Sequence, residues 1–142
     1  MKKRTRIIIV VFGLLLLAAG ILWYYVFVWS ANHHRNVEDE KGIPVTSSRI
    51  VSLYEKNEHS ADSLFLDKAI QVTGEITSMQ VNQQGMPTVT LKSDDPMSSV
   101  FCTLKNKHPV LKTGSIVTIK GICTGYLSDV IVIGAVLVNN DN

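Results

Sequence analysis

Two cysteines are the residues of this chain with the clearest chemical potential. Cys102 and Cys123 are its only cysteines and stand about 20 residues apart. Outside the cytoplasm such a pair can form a disulfide, and a bridge closing a loop of this length contributes roughly 3 kcal/mol. Both cysteines lie in apolar, strand-like surroundings, so two buried free thiols are the alternative. The sequence leaves both states open.

The histidines and clustered carboxylates predict no catalytic or metal site. Residues His59–Asp62 include a histidine, a serine and an aspartate, but a catalytic triad is defined by geometry rather than by adjacency. His33–Arg35 supplies two histidines, whereas a metal needs three or four converging ligands. Asp94–Pro96 has the composition of a turn, and His108 precedes a proline in a surface connector. We therefore expect no enzyme, no metal and no cofactor.

The N-terminal segment predicts a single transmembrane helix. Ile7–Trp29 is 23 consecutive residues without a charge, which at about 1.5 Å per residue spans a hydrocarbon core of ~30 Å. A cleaved signal peptide is the alternative, but its apolar stretch is shorter and ends in small residues. Here the stretch ends in bulky aromatic residues, which suit the membrane interface. The pattern favours an uncleaved anchor.

The charges around this span predict its orientation. Four basic residues lie in residues 1–6, whereas Arg35 and Lys41 after the span are mixed with the acidic run Glu38–Glu40. The positive-inside rule then places residues 1–6 in the cytoplasm as a basic tip and the rest of the chain outside it. Residues 30–45 are polar and of mixed charge, so we interpret them as a linker.

Two β-branched runs, each interrupted by one glycine, predict a curled sheet. Ile70–Ile76 contains Gly74, and Gly114–Gly125 contains Gly121. A glycine inside a strand pattern indicates a bulge or a tight bend. Two such bends in a small domain favour a closed barrel.

Residues 46–138 predict an all-β domain with an N-terminal helix. The helix begins near Thr46 and ends near Asn57 or Leu64, and residues 106–113 could hold another short helix. Five strands with an insert between the third and the fourth are typical of an OB-fold, with an SH3-like barrel as the alternative. In that topology the third and fourth strands are not neighbours, so a disulfide would have to cross the interior. Residues 139–142 form a tail. The predicted strands are Ile70–Thr77, Thr88–Lys92, Val100–Lys105, Ser115–Cys123 and Val130–Val138.

Charge and aromatic content argue against nucleic acid as the ligand. From Ile7 onward the chain has ten basic and 12 acidic residues, whereas a phosphate-binding surface needs a basic surplus. Six of the ten aromatic residues lie in the predicted span. Tyr54 and Phe65 are expected in the core, which leaves Phe101 and Tyr126 as a thin stacking platform.

A set of spaced residues carries a resemblance to a known family: Tyr54, Asn57, Glu58, Ala61, Asp62, Val72, Thr73, Gly74, Val89, Leu91, Val100, Cys102, Gly114, Val117, Gly121, Cys123 and Gly125. With these residues the chain resembles the tRNA_anti-like family over about Ile50–Val138. This resemblance implies a small bacterial OB-fold domain, often behind an N-terminal membrane segment. It adds no defined biochemical role. Two positions depart from the family pattern: Asp67 stands where members often have glycine, and Ala135 where some have a third cysteine.

The predicted function is a membrane-anchored, extracytoplasmic binding module for a protein, peptide or saccharide of the bacterial envelope. An OB-fold usually binds its ligand on the face of the second and third strands and on the flanking loops. A structural subunit of an envelope complex, assembled through the transmembrane helix, is the alternative. The predicted binding residues are Thr88, Thr90, Lys92, Phe101, Thr103, Lys105 and, in a flanking loop, Tyr126.

Overall fold

The N-terminal unit is one apolar helix. The structure, a computed structural model, describes residues 2–29, 36–107 and 109–138, which divide into two units on either side of residue 35. In the first unit, α1 (Lys2–Tyr24) continues into a π-helical turn (Tyr25–Trp29). By length and composition, Lys2–Val28 can cross a membrane. The helix contains the predicted span, Ile7–Trp29.

The second unit is a β-barrel with two short helices before its first long strand. Along the chain, one short strand comes first, the two helices follow it, and five strands complete the unit. The elements are β1 (Ile43–Thr46), α2 (Ser47–Lys56), α3 (Glu58–Phe65), β2 (Ala69–Val81), β3 (Pro87–Leu91), β4 (Val100–Leu104), β5 (Ile116–Leu127) and β6 (Asp129–Leu137).

Strands β2 to β6 close into the predicted five-stranded OB-like barrel. The hydrogen-bonded order is β2-β3-β4-β6-β5, and β5 pairs back onto β2. Strand β2 serves both sides of the closure because its first half pairs with β5 and its second half with β3. The register shifts between Ile76 and Ser78, where β2 passes from one partner to the other. The predicted fold class is confirmed.

The two strand glycines lie where another chain segment approaches closely. A Cβ atom on Gly121 would lie 2.5 Å from Val132 Cγ1 and 3.0 Å from the carbonyl oxygen of Ile133. A Cβ atom on Gly74 would lie 2.5 Å from Ser47 Oγ. The β5–β6 register also shifts on either side of Gly121, between Lys120 and Ile122. Both glycines therefore permit contacts that a side chain would prevent.

The two helices place apolar side chains in the barrel core. Ile50, Val51 and Tyr54 of α2 are buried at helical spacing and belong to the same cluster as the inward residues of the strands. Asn57 divides the helices, because its backbone is extended and its side chain accepts a hydrogen bond from Ser60 N. The sequence predicted one helix, whereas the structure has two.

Two other parts of the chain differ from the prediction. Residues 43–45, assigned to the linker, belong to β1, which adds to β2 in parallel from outside the closed barrel. The preceding residues also contact the domain, since Val37 is buried and Lys120 Nζ donates a hydrogen bond to the Glu38 carbonyl. No helix occurs in the described residues between β4 and β5, that is 105–107 and 109–115. In this domain α2 and α3 supply the helical packing against the core.

Candidate functional site

Four of the predicted binding residues form one patch on the outside of the barrel. The register pairs Thr88 with Thr103 and Thr90 with Phe101, so these side chains are cross-strand neighbours. Intervening residues such as Val89 face the interior and are fully buried. We call Thr88, Thr90, Phe101 and Thr103 the sheet face.

The two predicted lysines lie at the ends of the sheet face rather than within it. Lys92 follows β3 and Lys105 follows β4, and because these strands are antiparallel the two lysines lie at opposite ends of the sheet face.

Thr88 is only 5% exposed, and its hydroxyl donates to the Gln80 carbonyl at 3.3 Å. Strand β2 runs further than predicted and continues beside Thr88. This hydroxyl is therefore covered by the barrel itself.

Tyr126 lies in β5 rather than in the predicted loop. Its ring stacks on Tyr54 with 5.6 Å between ring centroids, and its hydroxyl is 2.9 Å from Ser98 Oγ. The side chain is half-buried and connects the core to the β3–β4 connection. The placement indicates a supporting role for Tyr126 beside the site.

The two cysteines are buried free thiols, which was the alternative to the disulfide. Cys102 on β4 and Cys123 on β5 both lie in register with Val132 on the intervening strand β6. Two strand spacings separate their Cα atoms by roughly 10 Å, beyond the ~7 Å that a disulfide spans. Cys123 Sγ is 3.4 Å from the Tyr54 hydroxyl.

Burial predicts that Cys102 is unreactive in the folded protein. Desolvation raises its pKa from 9.0 to about 12, so the nucleophilic thiolate is rare at pH 8 to 10. We expect labelling of Cys102 by a disulfide-exchange reagent only after urea unfolds the domain. At pH 8 its native labelling should be about a thousandfold or more slower than that of an exposed thiol, because an exposed thiol of pKa about 8.5 is already about a quarter thiolate there. Mass spectrometry of labelled peptides measures this, and rapid labelling of Cys102 in the native protein would contradict its burial.

A cleft of about 670 Å³ opens beside the sheet face. Its walls are the β2 bend (Glu75–Thr77), the β3 end with the β3–β4 connection, and Thr113–Gly114 before β5. Thr90 and Lys92 are the predicted binding residues that line it. The predicted binding residues thus lie in one wall of the cleft, and the other two walls contain none of them.

The β3–β4 connection is held in place by its own serines. The Ser93 hydroxyl donates towards the carbonyls of Asp95 and Ser98, and it accepts a hydrogen bond from Asp95 N. Ser99 donates through both its backbone N–H and its hydroxyl to Asp129 Oδ1, each at 2.7 Å. The wall is therefore preorganised, which lowers the ordering cost of binding a ligand.

Several polar side chains along the cleft are unpartnered within the described part of the chain. Glu75, Lys92 and Asp94 are exposed, and among the described residues their side chains form neither a hydrogen bond nor an ion pair. Lys92 and Glu75 are adjacent, since Lys92 N donates to the Glu75 carbonyl at 2.8 Å. Their charges remain available to a ligand.

Glu55 on α2 and Asp95 in the β3–β4 connection are neighbouring carboxyl groups at the wall of the cleft. The neighbouring Asp95 carboxyl raises the pKa of Glu55. The backbone N–H of Met97 lowers the pKa of Asp95, so Asp95 retains its negative charge when Glu55 is protonated. This wall of the cleft is consequently acidic.

The histidine clusters of the sequence analysis add nothing to this site. His33–Arg35 and His108 lie outside the described residues. Within the described ranges, no group of three or more His, Cys, Asp or Glu side chains is arranged to hold a metal ion. His59 is exposed on α3, which packs against β5.

A sequence model of the tRNA_anti-like family matches residues 1–139. The chain belongs to this family. The match extends beyond the region of resemblance, Ile50–Val138, and it includes the apolar N-terminal helix. No curated protein matches this tRNA_anti-like chain.

The solved structure of a Klebsiella protein supports the OB-like fold of this tRNA_anti-like domain. A lipoprotein from Klebsiella pneumoniae, described as a proposed nucleic acid-binding protein, aligns with a TM-score of 0.51 and 19% identity, covering 67% of this chain and 92% of its own. The structure of yeast Stn1 and Ten1 aligns with a TM-score of 0.45 and 14% identity, covering 72% of this chain and 65% of that one. At 19% identity the likeness to the Klebsiella protein is one of fold.

The two departures from the tRNA_anti-like pattern have local structural settings. Asp67 has a φ of 59°, the left-handed region that glycine enters most readily. This explains why glycine suits the position in other members. Ala135 is fully buried, and its Cβ would lie 3.1 Å from a Cβ on Gly121. A small side chain is needed there, because β5 and β6 approach closely.

Proposed function

We propose that this tRNA_anti-like chain is a membrane-anchored module that binds a protein, peptide or saccharide outside the cytoplasm. The observation that carries the proposal is the junction of the sheet face with the cleft at Thr90. There, unpartnered polar groups line a preorganised wall. Concave sites with a few convergent polar groups are typical of ligand binding.

The N-terminal helix supports membrane attachment. Lys2–Val28 is long and apolar enough to span a bilayer, and the basic residues before Ile7 favour a cytoplasmic N-terminus. The Klebsiella protein of similar fold is described as a lipoprotein, which is consistent with an envelope location for this fold. The domain would then act at the outer surface of the membrane.

The charge of the domain favours a ligand other than nucleic acid. From residue 36 onward the chain has nine basic and 12 acidic residues, and Lys92 and Lys105 flank the sheet face at opposite ends. Single-stranded nucleic acids need a basic groove with stacked aromatics, and Phe101 is the one aromatic residue of the sheet face. The Klebsiella protein's description makes an oligonucleotide a necessary comparison ligand in any binding test.

We also propose that the module is not catalytic. The polar groups of the cleft are hydroxyls, carboxylates and one lysine, and none of the described lining residues is a histidine or a cysteine. A nucleophile activated by an adjacent base is the usual signature of covalent catalysis. The described lining residues do not contain such a pair.

The proposal predicts that Phe101→Ala weakens partner capture by about tenfold or more, because buried aromatic side chains often dominate binding energy. The measurement is quantitative pull-down of the full-length protein from native membranes, with wild type and variant compared partner by partner. Leu64→Ala is the matched control, since Leu64 is 51% exposed on α3 and lies outside both the sheet face and the cleft lining. Thermal melts verify that both variants remain folded.

Two outcomes would count against this function. Identical partner lists for wild type and Phe101→Ala would remove the sheet face as the binding surface. Replacing Ile7–Trp29 with an unrelated apolar span separates the module from a structural subunit. Loss of the partners after that exchange would favour assembly through the helix.

A further inference from the structure

We propose that the cleft binds an extended, basic peptide segment of the partner protein. This inference rests on the proposed function, because it names the ligand class of that binding module. The cleft is defined by the β2 bend, the β3–β4 connection and Thr113–Gly114.

Charge complementarity is the first argument. The cleft lining includes three carboxylates, Glu75, Asp94 and Asp95, against the single lysine Lys92. Glu75 and Asp94 have no intramolecular partner among the described residues, so their charges face the solvent that a ligand would displace. Lysine and arginine side chains complement such a rim, whereas a polyanion is repelled by it.

The remaining lining groups suit a peptide backbone. Thr90 and Thr113 place hydroxyls along the cleft, and no hydrogen bond of either side chain occurs within the described part of the chain. A hydroxyl both donates and accepts, so it can pair with a peptide N–H or C=O. Met97 is 84% exposed at the rim, and its flexible thioether adapts to varied apolar side chains.

The lining also argues against ring-stacking ligands. None of the described residues that line the cleft is aromatic. Bases of single-stranded nucleic acids bind largely by stacking on aromatic rings, and this contribution is missing here. Binding of a peptide does not require stacking on aromatic rings.

The shape of the site suits an extended chain. A smaller cleft of about 370 Å³, which reaches Thr46 and Ser48 at the start of α2, shares Glu75, Lys92 and Asp94 with the larger one. The two clefts therefore adjoin at these shared residues. An extended peptide advances about 3.3 Å per residue with side chains alternating, so it can reach from one cleft into the other and offer a cation at every second position.

The test uses the full-length protein in micelles of an uncharged detergent. Fluorescein-labelled ten-residue peptides of alternating Lys and Ser, Glu and Ser, or Gln and Ser are titrated, and binding is followed by anisotropy at low and physiological salt. We expect the Lys-Ser peptide to bind most tightly. The double variant Glu75→Gln, Asp94→Asn should weaken it by roughly three- to tenfold, as expected for partly exposed ion pairs. Lys92→Met should tighten it, because a repelling charge is removed.

A matched control separates the effect of losing carboxylates at the cleft from the effect of changing the net charge of the domain. Glu38→Gln, Glu58→Gln removes the same number of carboxylates from exposed positions outside both clefts, and it should change binding by less than about twofold. Equal weakening by the two double variants would overturn the inference, as would equally tight binding of the Gln-Ser peptide or of an oligonucleotide. Failure of all three peptides, with partner capture still sensitive to Phe101→Ala, would overturn the peptide inference alone. Failure of both experiments would overturn the proposed function as well.

Discussion

Replacing Tyr54 with alanine is expected to lower the free energy of unfolding of the barrel domain by about 3–5 kcal/mol. Tyr54 is 2% exposed and ranks among the largest fully buried side chains. Its ring contacts Phe65 and Tyr126, with centroid distances of 6.4 Å and 5.6 Å. Truncation would leave a cavity where α2 meets the barrel, and it would remove the support of Tyr126. For a domain of this size the loss is a large share of total stability.

Urea titration of the full-length protein, followed by circular dichroism, measures this effect. Tyr54→Phe is the matched control, because it keeps the ring and removes only the hydroxyl that faces Cys123 Sγ at 3.4 Å. We expect Tyr54→Phe to cost about 1 kcal/mol or less. If the alanine and phenylalanine variants unfold at the same urea concentration, the ring does not anchor α2.

Replacing Gly121 with alanine should destabilise the domain by about 2–3 kcal/mol, because the new methyl group overpacks a closed core. It would lie 2.5 Å from Val132 Cγ1 and 3.0 Å from the Ile133 carbonyl oxygen. Val132 is itself fully buried between the two cysteine-bearing strands. Neither neighbour can move without disturbing the β5–β6 pairing.

A double-mutant cycle with Val132→Ala tests the origin of this cost by the same urea titration. Val132→Ala alone leaves a cavity and destabilises the domain, but in the Gly121→Ala background it also removes the nearest clash. We expect the two changes together to cost at least 0.5 kcal/mol less than their sum. Strict additivity would show that the clash with Val132 is not the source of the destabilisation.

The barrel was predictable because its strands are patterned locally. Alternation of apolar and polar residues along Ile70–Ile76 placed Ile70, Val72 and Ile76 in the core, where all three are fully buried. The glycine interruptions marked the places where the sheet bends and neighbouring strands approach. Tyr54 and Phe65, which lie on the helices, were also expected in the core and are buried there.

The differences arise where tertiary contacts decide the structure. Strand β1 has four residues, one of them Pro44, and it exists because β2 offers a free edge beside it. The segment before β5 was a candidate for a helix, but α2 and α3 supply the helical packing against the barrel. Tyr126 was assigned to a loop, whereas β5 continues as a strand through the register shift beside Gly125.

The candidate site was only partly predictable for a related reason. The sheet face follows from strand alternation, which the sequence displays. The cleft depends on a turn, a bend and a loop that lie far apart in the chain. Glu75 and Thr113 line the same cleft because Gly114 N donates to the Ile76 carbonyl and Ile76 N donates to the Ser115 carbonyl. A single sequence carries no signal for these contacts.

The position of the helices ahead of the barrel has a consequence for the order of folding. Tyr54 and Cys123 are in contact across a sequence separation of 69 residues, and β4 pairs in parallel with β6 only after the chain has passed through β5. Proteins dominated by such distant pairings fold slowly, because long loops must close, at a cost in conformational entropy, before stabilising contacts form. The helices are therefore synthesised before β5 and β6, against which they also pack, and until those strands emerge part of their apolar surface is exposed to aggregation.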